Sequence, residues 1–264
     1  MIPPYCPIQP EGACNSVVLA EKKSKMALNS QNIACFYQFK TRMDSLSNIW
    51  AVPDGCSDLL FEYSSEKATA FLYMGVTQRM KLHVKKGREY FGIRLLPERN
   101  LFTWKYPMKE LLNKLLRIED CTVIDPCLIE KIALAKSFDE RVERFNQSMK
   151  PNRPSLDAPR KIVDYCVAHI YATRGKITVE QLSQDTGYLE RYLRKKFEEW
   201  IGLSPKQFSQ MIRFQGSVRM LLEMPENNML NIVFENGYYD HAHFIREFKK
   251  MTHLTPHQFR NLYI

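Results

Sequence analysis

Hydrophobic residues change their spacing near the middle of this chain of 264 residues. Up to residue 96, aromatic and branched residues gather in short runs separated by turn signals such as PDG at 53–55, which is typical of strands. After residue 157, apolar residues recur every three or four positions, as they do in helices. We therefore predict an α+β protein in which a β half precedes an all-α half.

The β half is predicted to span residues 16–96 and to form a β-sandwich or small barrel. Its runs are SVVLA (16–20), NIACFYQFK (32–40), SDLLFEY (57–63), ATAFLYMGV (68–76), MKLHV (80–84) and YFGIRLL (90–96). Two trailing helices are predicted at 108–117 and 126–149, the second from the spacing of Leu128, Ile132, Ala135, Val142 and Phe145.

Prolines interrupt the periodicity between residues 150 and 159, which indicates a linker. We predict a first domain at 1–150, a linker at 151–157 and a second domain at 158–264. In the second domain, Thr178 with Gln181 and Ser204 with Gln207 have the spacing of capping boxes, so helices are predicted to start there.

The second domain repeats one motif. GYLERYLRKKFEEWIGLSPKQF (187–208) aligns with GYYDHAHFIREFKKMTHLTPHQF (237–259), with one extra residue in the second copy. Each copy is predicted to be a short helix, a turn at Gly187 or Gly237 and a second helix, because glycine accepts a left-handed backbone at little cost. Two helix-turn-helix units are therefore expected, with Asp240 capping the second helix of unit two.

Basic side chains lie on the predicted outer face of both second helices. A lone stripe of this kind is usually only a solvated helix surface, but two stripes, each after a helix and glycine turn, favour DNA binding. A helix fits the major groove, where Arg or Lys can bond guanine O6 and N7.

These residues carry a resemblance to the AraC/XylS family of bacterial transcription regulators. It runs through ITVEQLSQDTGYLERYLRKKFEEWIGLSPKQF, MIRFQGSVRMLLE and NIVFENGYYDHAHFIREFKKMTHLTPHQFR, over about two fifths of the chain. The resemblance implies seven helices, with the helix Pro205–Glu223 between the units, and recognition helices in successive major grooves about 34 Å apart. Two positions depart from the pattern: Leu189 stands where a capping Ser or Asp is common, and Val233 replaces alanine.

By matching positions, the resemblance also implies the contact residues. The base-reading candidates are Arg191, Arg194, Lys195, His241, Ala242, Ile245 and Arg246. The phosphate candidates are Lys196, Arg213 and Lys249. The implied partners are double-stranded promoter DNA, RNA polymerase, a small-molecule effector and a second copy of the chain in a homodimer.

Composition adds less than the motif does. The net charge of +9 fits a polyanionic partner, but residues 157–264 hold 15 basic and 12 acidic residues, so the excess is not concentrated there. The seven cysteines show no CxxC pair, which favours reduced thiols over disulfides or zinc. The sequence contains neither a membrane-length apolar run nor a signal-peptide pattern, so we expect a cytoplasmic protein.

The first domain resembles a cupin-like, effector-sensing barrel. Its one histidine, His83, is too few for a metal-dependent cupin enzyme, so no catalytic residue, metal or cofactor is assigned. Paired histidines at 241/243 and 253/257 also do not suit a metal, because residues i and i+2 of a helix diverge and Pro256 interrupts the other pair. The effector-binding candidates are Phe36, Trp50, Phe61, Tyr63, Tyr90 and Arg94.

The sequence thus predicts a non-enzymatic, sequence-specific DNA-binding transcription regulator controlled by a small-molecule effector in the first domain. One alternative is a ligand-independent regulator whose first domain only dimerises or binds a protein. Another is an enzyme fused to a DNA-binding domain, with a Cys nucleophile that has only His83 available as a histidine base.

Overall fold

The computed structural model describes residues 5–10, 17–24, 33–43, 49–63, 68–97, 102–125, 127–149, 158–224 and 228–264. An antiparallel sheet region comes first and a helical part follows, which confirms the α+β class. The linker predicted for 151–157 lies outside the described residues.

Six strands form one antiparallel sheet and two short strands form a second. The strands are β1 (Val17–Ser24), β2 (Ile33–Thr41), β3 (Trp50–Ala51), β4 (Ser57–Tyr63), β5 (Thr69–Tyr73), β6 (Met80–Lys81), β7 (Glu89–Leu95) and β8 (Leu115–Arg117). The large sheet has the order β1-β2-β7-β4-β5-β8, and β3 pairs with β6. Leu59 of β4 lies opposite Ile93 of β7, and Leu60 lies opposite Gly92.

The large sheet is covered on both faces, because successive residues of a strand point to opposite sides. Leu59 and Phe61 pack on one side with Phe91 and with residues of the trailing helices. Leu60 packs on the other side with Tyr90, beside Met80 of β6. This two-layer arrangement is consistent with the predicted sandwich.

The trailing helices differ from the prediction. They are α1 (Met108–Leu111), α2 (Ile118–Cys121), α3 (Cys127–Ala133) and α4 (Phe138–Ser148). The helix predicted for 108–117 is wrong after Leu111, because Leu115–Arg117 pair with β5 as a strand. Leu115 joins the hydrophobic cluster on one face of the sheet and Leu116 the cluster on the other, a pattern that suits a strand.

The single helix predicted for 126–149 is also wrong, because it is two helices. The side chain of Ser137 accepts a hydrogen bond of 3.2 Å from the backbone N–H of Glu140 and starts α4 there. The Glu140 carboxylate in turn accepts from the N–H of Lys136, at 2.7 Å. The apolar positions predicted for this stretch are nevertheless all buried, and all but Ala135 belong to the cluster on one face of the sheet.

Seven helices make up the described part of the second half, as the family resemblance implies. They are α5 (Ala158–Ala172), α6 (Val179–Thr186), α7 (Glu190–Trp200), α8 (Pro205–Glu223), α9 (Met229–Glu235), α10 (His241–Thr252) and α11 (Pro256–Tyr263). The capping boxes predicted at Thr178 and Ser204 are both formed, with Pro205 in the first turn of α8. A third box at Thr255 and Gln258 starts α11.

The β half packs directly on the helical half through the loop after β3. Val52 is fully buried in a hydrophobic cluster whose other buried members, Phe214 among them, lie in the helical half. Gln215 of α8, which is 5% exposed, donates to the carbonyl of Pro53 at 2.7 Å and accepts from the N–H of Ile8 at 2.8 Å. The long helix α8 therefore contacts both helix-turn-helix units and the β half.

Candidate DNA-binding surface

Unit one consists of α6, the turn at Gly187 and α7. Gly187 has φ 71°, the left-handed conformation that the sequence predicted for the end of a helix. Leu193 and Phe197 of α7 are buried against α5 and α8, which fixes the rotation of α7 about its own axis. Hence the opposite side of α7 points outward.

The outward side of α7 carries the three base-reading candidates of unit one. Arg191, Arg194 and Lys195 are all exposed. Lys196, a phosphate candidate, is half-buried and pairs with Glu199 at 2.8 Å. The helix starts without a side-chain cap at Leu189, as its departure from the family pattern suggested.

Unit two consists of α9, the turn at Gly237 and α10. Gly237 has φ 70°, and the Asp240 carboxylate accepts from the N–H of His243 at 2.6 Å, so the predicted turn and cap are both present. Phe244 and Phe248 are fully buried and orient α10 as Leu193 and Phe197 orient α7.

The outward side of α10 carries the candidates of unit two. His241, Ala242 and Arg246 are exposed, as is the phosphate candidate Lys249, whereas Ile245 is half-buried. The structure thus brings the base-reading candidates of each unit together on one helix surface. Whether they contact bases stays a prediction.

The Arg213 side chain is half-buried and forms an ion pair within the protein. Its guanidinium donates to the Glu247 carboxylate at 3.2 Å and lies 5.5 Å from the centre of the Tyr238 ring. Burial raises the pKa of Tyr238, so this phenol stays neutral, and its oxygen accepts a hydrogen bond of 3.2 Å from Ser217. Arg213 therefore connects α8 to α10, a structural role that the sequence reading did not assign.

Sequence reasoning passed over several exposed residues on this surface. The exposed Tyr188 stacks on the half-buried Tyr192, with ring centres 5.0 Å apart, beside the turn of unit one. Tyr239, at 90% exposure, occupies the extra position of the second copy. Lys176 and Lys206 are exposed next to α7. For the two lysines the sequence did contain a signal, because they directly follow Gly175 and Pro205. These positions are the turn before α6 and the first turn of α8.

The effector-binding candidates do not line one cavity in the structure. Phe36 and Phe61 lie in the cluster beneath α4, whereas Tyr90 packs on the opposite face of the sheet. Their rings pack against neighbouring side chains, as in an ordinary protein core.

The polar candidates have partners within the β half. The Arg94 guanidinium pairs with the carboxylates of Asp54 and Asp58, so its charge is already balanced. Burial raises the pKa of Asp58, although Arg94 acts in the opposite direction. Trp50 lies under the guanidinium of Arg79, and Tyr63 under that of Arg141. The predicted effector site therefore stays a prediction, and the structure separates its members.

Two negative findings apply to the described residues. They include no cluster of three or more His, Cys, Asp or Glu side chains that could hold a metal ion. They also include no helix that is long and apolar enough to cross a membrane.

Comparison with known proteins matches each half of the chain to a different family model. Residues 182–262 match a model described as a helix-turn-helix domain, and residues 28–117 match one described as a domain of unknown function (DUF6597). An uncharacterized HTH-type transcriptional regulator of Staphylococcus aureus is 30% identical over 148 residues, 56% of this chain and 18% of the relative. Another, of Haemophilus influenzae, is 34% identical over 82 residues, 31% of this chain and 27% of the relative.

The chain also has a limited likeness to two solved structures. The C-terminal domain of AraT, a response regulator from Geobacillus stearothermophilus, has a TM-score of 0.36 at 23% identity, over 41% of this chain and 88% of that one. ToxT from Vibrio cholerae has a TM-score of 0.42 at 13% identity, over 94% of this chain and 99% of that one. Because these scores are low, the assignment depends on the sequence match and on the geometry.

The packing of α6 to α11 and the family match together define a double helix-turn-helix protein. Residues 182–262 form a helix-turn-helix domain, and this match agrees with the resemblance to the AraC/XylS family seen in the sequence. This chain covers about a fifth of the length of the Staphylococcus aureus relatives that it matches.

Proposed function

We propose that this protein regulates transcription by binding a specific DNA sequence through both helix-turn-helix units. One observation carries the proposal: α7 and α10 each bury an apolar stripe against α8 or its neighbours and expose basic side chains on the other side. A helix held in this way can lie in a major groove and present Arg194 or Arg246 to guanine.

The base contacts can be tested by substitution. A binding sequence is first selected from a pool of random duplexes, and its affinity is measured by fluorescence anisotropy. We expect Arg194→Ala and Arg246→Ala each to weaken binding of the selected duplex by about 1–3 kcal/mol, with relaxed preference at one base pair each.

Arg117→Ala is the matched control, since Arg117 is an exposed arginine on β8 in the other half of the chain. It should bind like the unsubstituted protein. The proposal fails if the selected duplex binds no better than random DNA, or if the double variant Arg194→Ala/Arg246→Ala keeps full affinity.

We also propose that the β half controls DNA binding, because it contacts the helices that carry the two units. The Lys109 ammonium of α1 pairs with the Glu198 carboxylate of α7 at 3.0 Å. The backbone N–H of Arg79 donates to the backbone carbonyl of Met251 in α10 at 2.6 Å. A ligand that favoured one arrangement of the two halves would thereby alter the placement of α7 relative to α10.

A thermal-shift screen of small molecules separates a ligand-controlled protein from one whose first domain only dimerises. A ligand at 100 times its dissociation constant should stabilise the protein by about 2.7 kcal/mol. If no compound stabilises the protein while sedimentation shows a dimer, the ligand-independent alternative is favoured.

A further inference from the structure

A concave basic groove lies between unit one and α8. Its volume is about 750 Å³, and its walls are the turn before α6, one side of α7 and the start of α8. Five cations line it against a single carboxylate, that of Glu190; the cations are Lys176, Arg191, Arg194, Lys206 and Arg213. The groove therefore has the electrostatic character of an anion site.

Four of the five cations are available for a ligand. Arg213 is engaged with Glu247, as described above. The remaining four form no ion pair with any residue in the part of the chain that the structure describes, and all four side chains are exposed. Since like charges gathered in one concavity repel each other, an anion in the groove would relieve that repulsion.

Two helix N-termini add to the positive potential. Thr178 and Ser204, the capping residues of α6 and α8, both line the groove. The N-terminal end of a helix carries a partial positive charge that favours an anion. The two helices contain 8 and 19 residues, so each has a complete first turn.

The shape of the groove is held by the backbone at Gly175. This residue has φ 75°, and a Cβ there would lie 2.3 Å from the carbonyl oxygen of Ser209. The turn that carries Lys176 is therefore in direct backbone contact with α8. Lys176 lines the groove from this turn, and its stem also lies against Gly237 of unit two.

We propose that this groove holds a sugar-phosphate strand of the DNA, with Lys176 and Lys206 as phosphate contacts. Arg191 and Arg194 share the wall with the base-reading side of α7, so a strand in the groove would border the major groove that α7 enters. The inference depends on the proposed function and extends it, since neither lysine lies on a recognition helix.

The test compares two duplexes, the selected sequence and a random one, over a range of salt concentrations. The logarithm of the binding constant K falls as the logarithm of the salt concentration rises. Removal of one phosphate contact should make this negative slope shallower by about 0.9 and weaken binding about five-fold near physiological salt. We expect Lys176→Ala and Lys206→Ala each to do so equally for both duplexes, with their affinity ratio unchanged. Lys176→Arg and Lys206→Arg should keep the original slope.

Lys161→Ala is the matched control, because Lys161 is an exposed lysine of α5 that does not line the groove. Its slope should equal that of the unsubstituted protein, and circular dichroism should show the same fold for every variant. The inference is overturned if the selected duplex still binds specifically while the Lys176 and Lys206 variants keep the original slope. If the unsubstituted protein binds the selected duplex no better than the random one, the result instead contradicts the proposed function.

Inorganic phosphate distinguishes a DNA strand from a free anion as the occupant. At an ionic strength held constant with chloride, phosphate at millimolar concentration should not stabilise the protein in a thermal-shift assay or compete with the duplex. Saturable stabilisation by phosphate that disappears in Lys176→Ala would overturn the assignment to DNA and identify a site for a small anion.

Discussion

At the residue scale, Gly175 and Gly187 share a left-handed backbone but differ in their surroundings. A Cβ on Gly175 would lie 2.3 Å from the carbonyl oxygen of Ser209, whereas a Cβ on Gly187 would have nothing within 4 Å. Glycine at position 187 is thus required by the turn alone, and glycine at 175 by the turn and by the close approach of α8.

Alanine at each position should separate these two requirements. We expect Gly187→Ala to lower the free energy of unfolding by about 1–2 kcal/mol, the cost of a left-handed backbone with a Cβ. Gly175→Ala should cost more, because the backbone of α8 must also move. Urea denaturation measures both, and equal losses would contradict the close approach.

The two recognition helices also differ at their first residue. Asp240 caps α10 through its side chain, whereas Leu189, which is 79% exposed, offers α7 no side-chain acceptor. Leu189→Asp should therefore raise the free energy of unfolding by about 1 kcal/mol, and Asp240→Ala should lower it by a similar amount. Chemical denaturation checks both signs, and destabilisation by Leu189→Asp would show that Leu189 contributes more than a missing cap.

At the element scale, the helical half was predictable wherever a local signal sets an element boundary. The capping residues Thr178 and Ser204 and the turn glycines Gly187 and Gly237 all act through neighbours in the sequence. The outward faces of α7 and α10 followed from helical spacing.

The β half was less predictable because its elements depend on distant partners. Leu115–Arg117 read as part of a helix, but pairing with β5 makes them a strand. The break before α4 did have a local signal, the Ser137 cap, which the regular spacing of apolar residues obscured. The six effector candidates show the same limitation, since composition gives aromatic residues without saying which face of a sheet they occupy.

At the scale of the whole molecule, α8 connects the two recognition helices and the β half. Gln215 of α8 forms hydrogen bonds with the backbone at Pro53 and Ile8. The next residue of that loop, Asp54, accepts a hydrogen bond from the side chain of Gln9 at 2.9 Å and pairs with Arg94. Polar groups buried at this contact need their partners, because unmade hydrogen bonds are costly.

Gln215→Ala tests that contact. We expect a loss of about 1–3 kcal/mol in the free energy of unfolding, because the carbonyl of Pro53 loses its donor, and faster amide hydrogen exchange in residues 5–10. Gln184→Ala, at an exposed position of α6, is the control and should leave both measurements unchanged. Unaltered exchange in residues 5–10 of the Gln215 variant would argue against a tight contact between the halves.

The account depends most on both units reading DNA at once, and guanine methylation interference on the selected duplex tests this directly. Methyl groups at guanine N7 should block binding in two clusters, in successive major grooves on one face and about 10 base pairs apart. Arg194→Ala should abolish interference in one cluster and Arg246→Ala in the other. A single cluster, or two clusters on opposite faces of the duplex, would contradict the account.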